Sequence, residues 1–274
     1  MNDSAVSEAI GFILIFGIML SGIGLITLYG YPMLLQEQHN TNIRNMERNM
    51  ILLQSDVNAL VYKSVPYKET TMQVSGGVLS VKSPDPASSF IIINDPSNQP
   101  FLDPTLFPSG EFPPGELHFL SDSGDINLGL ENGAVVKKQG GGSVMLSEPR
   151  WFIDTDPGSG NKTFVITLTQ IDTSGSSLAK TGLSTVQMSI EPLNISAGRD
   201  LINGNDDDTN IIDTENRYSD LAISITVNSP DHLTAWKNYF ENTLGMTTAD
   251  GIIWTKTGVD RIVIKAWRIN VINL

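Results

Sequence analysis

The stretch of sequence that decides the fold, residues 9–35, reads AIGFILIFGIMLSGIGLITLYGYPMLL and contains no charged residue. At 1.5 Å per residue, a helix of this length extends about 40 Å, enough to cross a hydrocarbon core of roughly 30 Å. A buried core helix is the alternative, but core helices rarely run this far without a polar face. The stretch therefore predicts a membrane-spanning helix.

A cleavable secretory signal peptide fits this segment poorly. Residues 1–4 read MNDS and include no basic residue, and the apolar run is followed by Gln36-Glu37-Gln38. Signal peptides begin with basic residues and have small residues at a cleavage site after the apolar run. We therefore expect the helix to remain in the mature protein as an anchor.

Small residues interrupt the apolar run. Gly11, Gly17 and Ser21 are among them, and Gly17 to Ser21 has the spacing that lets membrane helices approach closely. Glycine is also common in membrane helices without such a role, so both interpretations stay open. Glu8 directly precedes the apolar run. A carboxylate at this position complements the helix dipole if it lies at the membrane interface, and it needs a partner if it lies inside lipid.

Residues 4–14, SAVSEAIGFIL, resemble the N-terminal segment of archaeal type IV pilin-like proteins, which reads roughly A-V-S-x-x-I-G before a long apolar helix. With Gly30-Tyr31-Pro32, the segment is similar to a subgroup found in methanogens, and the resemblance covers about the first 60 residues. In this family a prepilin-peptidase-like membrane protease cleaves before the helix. The helix then anchors the subunit and can form the core of a filament.

The resemblance implies roles for individual residues. Cleavage between Asp3 and Ser4 would make Glu8 the fifth residue of the mature chain. In bacterial-type pilins the acid at that position pairs with the free amine of a neighbouring subunit. Two features depart from the family pattern: no basic residue precedes the cut, and many archaeal pilins have proline where Glu8 stands.

The pattern changes after residue 31. Tyr31-Pro32 predicts a kink or an interruption, because proline lacks an amide donor and clashes with the preceding turn. An amphipathic stripe with heptad spacing follows, which predicts packing on the head or on neighbouring subunits. Its members are Ile43, Met46, Met50, Leu53, Val57 and Leu60. Val65-Pro66 should end the helix, so residues 1–65 form the predicted anchor and assembly unit.

The predicted second unit, residues 66–274, is rich in short alternating runs separated by turns such as Glu131-Asn-Gly and Gly140-Gly-Gly. This pattern predicts an α+β fold, in which the N-terminal helix carries a mainly antiparallel, β-sandwich-like head. We predict strands at Thr71–Val81, Phe90–Asn94, Leu117–Leu120, Ala134–Lys138, Ser143–Leu146, Trp151–Ile153, Thr163–Ile171, Ser184–Ile190 and Ala222–Val227.

One helix is predicted late in the head, at Asp231–Leu244, between Ser229-Pro230 and Gly245. After it, Ile252–Lys256 and Arg261–Leu274 read as strands joined at Thr257-Gly258, which predicts a closing hairpin.

Composition excludes several kinds of function. The net charge is −13, and basic residues are scattered, so nucleic acid is an unexpected partner. The chain has no cysteine, which removes disulfides, thiolate zinc sites and cysteine nucleophiles. Its three histidines, at 39, 118 and 232, have no acid or second histidine at zinc-ligand spacing. No catalytic constellation is visible, and the chain is not predicted to be an enzyme.

Two minor kinds of site remain. Oxygen ligands alternate at Asp206, Asp208 and Asn210, a pattern that suits Ca²⁺, although a solvated acidic loop is the simpler explanation. No other cofactor is expected. The glycosylation sequons at Asn161 and Asn194 favour a head outside the cell, whereas Arg44 and Arg48 would favour the cytoplasm by the positive-inside rule.

These observations leave three hypotheses, of which the sequence supports the first two. The first is a pilin-like structural subunit of a cell-surface filament, which forms homo-oligomers through its N-terminal helix after release from the membrane. The second is a single-span surface protein whose head binds a ligand or an envelope partner. The third, an extracellular enzyme, would need a cluster of catalytic groups in a pocket of the head.

Overall fold

We describe the protein from a computed structural model that defines residues 3–63, 65–173, 175, 177–196, 209–214 and 221–274. The chain separates into two compact units, residues 1–45 and 46–274. The division expected at 65/66 marks the change from helix to strand, because helix α2 ends at Lys63 and the first strand begins at Tyr67.

The N-terminal residues are helical. Helix α1 (Asp3–Leu25) leads through a π-helical turn (Ile26–Gly30) into α2 (Tyr31–Lys63). The sequence predicts a kink or an interruption at Pro32. The helix instead continues, and its hydrogen-bond pattern changes to that of a π-helix just before this proline. The physical reason is that a proline in the first turn of α2 cannot donate to the preceding turn, and a wider π turn accommodates the missing donor.

In the head unit, the described residues contain fourteen strands. In chain order they are β1 (Tyr67–Lys82), β2 (Phe90–Asn94), β3 (Glu116–Ser121), β4 (Ile126–Glu131), β5 (Ala134–Gln139), β6 (Gly142–Ser147), β7 (Phe152–Thr155), β8 (Lys162–Asp172), β9 (Ala179–Pro192), β10 (Ile211–Asp213), β11 (Leu221–Asn228), β12 (Thr247–Thr248), β13 (Ile253–Val259) and β14 (Arg261–Asn273). Strands β4, β10 and β12 were not predicted.

The strands form two sheets. A ten-stranded sheet has the order β6-β5-β4-β3-β1-β9-β14-β8-β7, with β10 also paired to β14, and a four-stranded sheet has the order β12-β13-β11-β2. Among the described strands every pair is antiparallel except β8 with β14. The predicted α+β class and mainly antiparallel head are confirmed.

The predicted closing hairpin is wrong. β13 pairs with β11 and β12 in the small sheet, whereas β14 lies between β8 and β9 in the large one. The chain changes sheets at Asp260, whose amide donates to the carbonyl of Lys162 and whose carboxylate accepts from the Lys162 amide. Gly258 (φ 72°) lies at an irregularity in the β11–β13 register and not in a hairpin turn.

The predicted late helix exists but is shorter than expected. Helix α3 (Leu233–Asn238) continues as a π-helical turn (Tyr239–Thr243), and Gly245 follows with φ 60°. Its apolar face, with Trp236 and Phe240, joins the core between the two sheets. Side chains of β2, β8, β11 and β14 complete that core.

The second half of α2 belongs to the head. Met46, Met50, Leu53, Val57 and Leu60 are each no more than 1% exposed, so the amphipathic stripe predicted from heptad spacing is buried. Gln54 fixes this segment by donating hydrogen bonds from its amide to the carbonyls of Gly133 and Glu148, at 2.7 and 2.9 Å.

Candidate functional site

The apolar N-terminal helix is the largest exposed hydrophobic surface of the described chain. From Ile10 to Leu35 the large apolar side chains are 47–74% exposed. The helix is long and apolar enough to cross a membrane, and none of its apolar window is buried within the chain. Monomeric soluble proteins rarely expose a patch of this extent, and patches of this kind are typical of membrane or protein interaction sites.

The small residues on this helix have no packing role within the chain. A Cβ atom added at Gly11 or Gly17 would meet nothing within 4 Å, and the same holds at Gly22 and Gly24. Each glycine in a helix interior costs about 1 kcal/mol relative to alanine, so these positions weaken the helix without an internal compensation. The Ser21 hydroxyl donates to the Gly17 carbonyl at 2.8 Å, which satisfies its donor within the helix.

The predicted cleavage site and the acidic residue predicted to pair with a neighbouring subunit lie at the start of α1. The backbone of Asp3, Ser4 and Glu8 is helical, and their side chains lie outside the described part of the structure. Their predicted roles in cleavage and subunit pairing stay predictions.

A buried charge cluster, consisting of Glu116, Glu131 and His232 with the exposed Lys82 at its outer end, occupies the head. Its centre is Glu131 at the end of β4, which is 2% exposed and accepts three hydrogen bonds. The donors are the Ser229 hydroxyl (3.0 Å), His232 Nδ1 (3.0 Å) and Trp236 Nε1 (3.2 Å). These contacts attach the segment before α3, and α3 itself, to the large sheet.

The cluster continues from His232 to the surface. His232 Nε2 faces Glu116 Oε1 at 3.5 Å, and neither atom has a hydrogen-bond partner. The other oxygen of Glu116, Oε2, accepts from Lys82 Nζ at 2.9 Å. Gly129 makes room for this arrangement, because a Cβ atom there would lie 2.1 Å from Glu116 Oε1.

Burial and neighbouring charges shift the pKa values of the cluster. Desolvation raises the pKa of Glu116, against the opposing charges of His232 and Lys82. Burial alone would lower the pKa of His232, but the hydrogen bond and charge of Glu131, with Glu116 and Asp231, outweigh it and raise the pKa. Protonated His232 therefore has a carboxyl group on each side.

Nearby His118 behaves in the opposite way. Desolvation, together with the positive charges of Lys82 and His232, lowers the pKa of His118 to about 4. Asp231 lies across from these cations, and its hydrogen bond with Lys138 lowers the pKa of its carboxyl group. Positively and negatively charged side chains therefore lie next to each other on this face of the large sheet.

A cleft of about 380 Å³ opens beside the cluster. His232 and two carboxyl groups are residue types used in general acid–base catalysis. Among the described residues, however, no hydroxyl is hydrogen-bonded to His232, because Ser229 donates to Glu131 instead. His232 is 1% exposed, so its contacts connect the large sheet to the segment before α3 inside the protein.

Sequence reasoning missed this cluster. Its four members lie on β1, β3, β4 and the segment before α3, and only strand pairing brings them together. One signal was available: carboxylates within apolar strands must be buried with partners if the strands are buried. Glu116 directly precedes the predicted strand Leu117–Leu120, whereas Glu131 was read as part of a turn, so this signal applied to Glu116 alone.

The other predicted sites are only partly described. Asp206 and Asp208 lie outside the described residues, and the Asn210 side-chain amide donates to the carbonyl of Ala266 at 3.4 Å. Within the described part of the chain, no group of three histidine or acidic residues is arranged to hold a metal ion. Asn161 and Asn194 are both exposed, which leaves their glycosylation a prediction.

Comparison with known proteins identifies a family for this chain. The model of a family described as "Family of unknown function (DUF7289)" matches residues 5–271. The matched region therefore includes both the apolar helix and the head. No curated protein and no solved structure matches the chain.

Proposed function

We propose that this chain, which belongs to the DUF7289 family of unknown function, is a membrane-anchored structural subunit whose N-terminal helix assembles with other copies into a cell-surface filament. The observation that carries the proposal is the exposure of the apolar side chains from Ile10 to Leu35. Lipid covers such a surface before assembly, and neighbouring helices cover it afterwards.

The small residues of α1 support helix–helix contact over a purely lipid-facing role. Glycine positions at Gly11 and Gly17 weaken the helix and meet no other part of the chain. In lipid, such positions allow helix backbones to approach closely, which compensates the lost helix propensity by packing. The resemblance of residues 4–14 to pilin-like proteins supports the same interpretation, with the head forming the outer surface.

The test is the location and N-terminus of the native protein. Sheared surface material and membranes are collected separately, and the intact mass of the protein is measured in each. A filament subunit processed as in pilin-like proteins will occur in sheared material with a mature chain that begins at Ser4. A chain that retains Met1 and occurs only in membranes would refute both processing and filament formation.

A matched pair of variants tests the helix contact itself. Gly17→Val adds an isopropyl group at the proposed contact, whereas the neighbouring Ile18→Val keeps an apolar side chain of similar size. We expect Gly17→Val to reduce recovery in sheared material without reducing the membrane pool, and Ile18→Val to leave both unchanged. Equal recovery of the two variants would contradict helix packing at Gly17.

A second candidate function is a single-span surface protein whose head binds a ligand without forming filaments. The observation that favours it is a cleft of about 540 Å³ in the head, a size that small ligands occupy. Membrane recovery with Met1 retained, together with ligand binding by the head, would favour this candidate over the filament subunit.

A further inference from the structure

The cleft of about 540 Å³ lies on the large sheet beside the end of α2. Its lining differs from that of the cleft beside the buried charge cluster, because it combines aromatic rings with cations and has no acidic residue. The lining residues are Val61, Tyr62, Arg150, Phe152, Val165, Thr167, Lys265 and Trp267. Strand register places Lys265 beside Thr167 and Phe152 beside Val165, so these side chains share one sheet surface.

Two cations in the cleft have no ion-pair partner among the residues that the structure describes. Within the described residues, Arg150 and Lys265 form no contact with a carboxylate, although the protein has a net charge of −13. Both side chains are exposed. In an acidic protein, a pair of uncompensated cations in one cleft attracts a ligand that supplies the negative charge.

The Arg150 side chain is already held in place. Its guanidinium carbon lies 4.6 Å from the centre of the Tyr62 ring, in cation–π contact. The planar guanidinium therefore has fewer conformations to lose when it binds a carboxylate through two parallel hydrogen bonds. This preorganisation distinguishes Arg150 from a mobile surface lysine.

Two aromatic rings remain available for contact with a ligand. Phe152 is 49% exposed, and Trp267 is half-buried, whereas Trp151, Trp236 and Trp254 are at most 3% exposed. A sugar ring presents C–H groups on its faces and hydroxyls at its edge, so its face packs on an aromatic ring while its substituents reach polar groups. An extended peptide offers no such flat, rigid face.

We propose that this cleft binds an anionic saccharide, with the sugar face against Phe152 and Trp267 and its carboxylate between Arg150 and Lys265. The volume suits one or two sugar units. The inference goes beyond the assembly proposed for the N-terminal helix and does not rest on it, because every lining residue belongs to the head unit.

The experiment measures binding by the full-length protein in detergent micelles. The probe is α-1,4-linked digalacturonic acid, and the neutral control is galactobiose. Trp267 is half-buried and is the most accessible of the four tryptophans, so we expect saturable protection of part of the tryptophan fluorescence from quenching, confirmed by calorimetry. Binding should weaken with added salt, because screening reduces the attraction between exposed charges.

Variants assign the binding to the cleft. Arg150→Gln should weaken binding of digalacturonic acid about tenfold or more, the effect expected for a lost charge-assisted hydrogen bond. Phe152→Ala should also weaken it, whereas Lys180→Gln, which removes an exposed lysine outside the cleft, should not. Unchanged near-ultraviolet circular dichroism will show that each variant remains folded.

Four results would overturn the proposal. The first is absence of binding by the wild type at millimolar digalacturonic acid, and the second is equal binding of galactobiose. The third is binding that persists after Arg150→Gln and Lys265→Gln are combined. A tetraglutamate peptide is tested in parallel, and affinity equal to that of the saccharide would also refute the assignment, because it would show that charge alone decides binding.

Discussion

Replacing Glu131 by glutamine should destabilise the head substantially, although it exchanges only one carboxylate oxygen for an NH₂ group. The Glu131 carboxylate accepts hydrogen bonds from Ser229, His232 and Trp236 at 3.0, 3.0 and 3.2 Å. Glutamine has one acceptor oxygen and one donor group, so in either orientation its NH₂ faces at least one of these donors. The substitution also removes a buried negative charge beside His232, whose pKa is raised in the folded protein.

The magnitude follows from these losses. Breaking a buried ion pair by neutralising one partner costs about 3–5 kcal/mol, because the remaining charge stays desolvated. For a folded unit of this size, about 1 kcal/mol corresponds to a change of about 2–4 °C in Tm. We therefore expect Glu131→Gln to lower Tm by roughly 6–20 °C.

Thermal unfolding of the full-length protein in micelles measures this change, followed by the fluorescence of the buried tryptophans. The matched control is Glu241→Gln, which disrupts only the surface pair with Lys237 at 3.9 Å. That pair contributes about 0.3–0.5 kcal/mol, so the control should shift Tm by at most about 2 °C. If Glu131→Gln shifts Tm no more than the control, the contacts of the buried charge cluster do not stabilise the head.

Three further predictions concern the same unit. Because the pKa of His118 is lowered to about 4, the unfolded chain takes up a proton between about pH 6.5 and 4 that the folded chain does not, so Tm should fall as pH falls through this window. The fall should be smaller in His118→Gln, and identical profiles would contradict it. Gly129→Ala places a Cβ atom 2.1 Å from a carboxyl oxygen of the buried charge cluster and should cost about 1–3 kcal/mol in urea unfolding. Gly141→Ala, where a Cβ atom meets nothing within 4 Å, should cost much less, and equal losses would exclude a steric cause. Leu53→Ala should cost about 2–5 kcal/mol in the same assay because Leu53 is fully buried, and a loss below about 1 kcal/mol would show that this part of α2 is not held in the core.

Local periodicity predicted the elements of this fold well. The bounds of β2 agree at both ends, Phe90–Asn94, and the heptad stripe on α2 is buried from Met46 to Leu60. Both signals depend on residues close together in sequence, where spacing reports directly which side chains share a face. Glu131-Asn132-Gly133 likewise forms a hairpin turn, with φ 47° and 74° at its last two residues.

Pairing between strands was less predictable. β13 and β14 are adjacent in sequence and both alternate, so the simplest expectation joins them in a hairpin. Instead Asp260 is hydrogen-bonded to Lys162 at the start of β8, and β14 enters the large sheet parallel to β8. The core between the sheets decides this, because Trp254 of β13 and Ile264 of β14 are both buried in it.

The candidate sites also differ in whether their residues are close together in sequence. The apolar helix is a continuous stretch and is evident from composition alone. The buried charge cluster and the cation-containing cleft join segments far apart in sequence, such as Tyr62, Arg150 and Lys265, and no spacing rule connects them. Residues of this kind become recognisable only when strand register is known.

The two units differ in how they expose apolar side chains, and this difference bears on function. The head has its own core, to which Met46–Leu60 contribute, and its buried carboxylates have partners within it. The side chains from Ile10 to Leu35 contribute nothing to that core, since they remain 47–74% exposed. A long apolar surface of this kind promotes aggregation in water. The proposed filament subunit provides lipid and then other copies of the helix as its surroundings, and the glycines without an internal contact suit close packing against those helices.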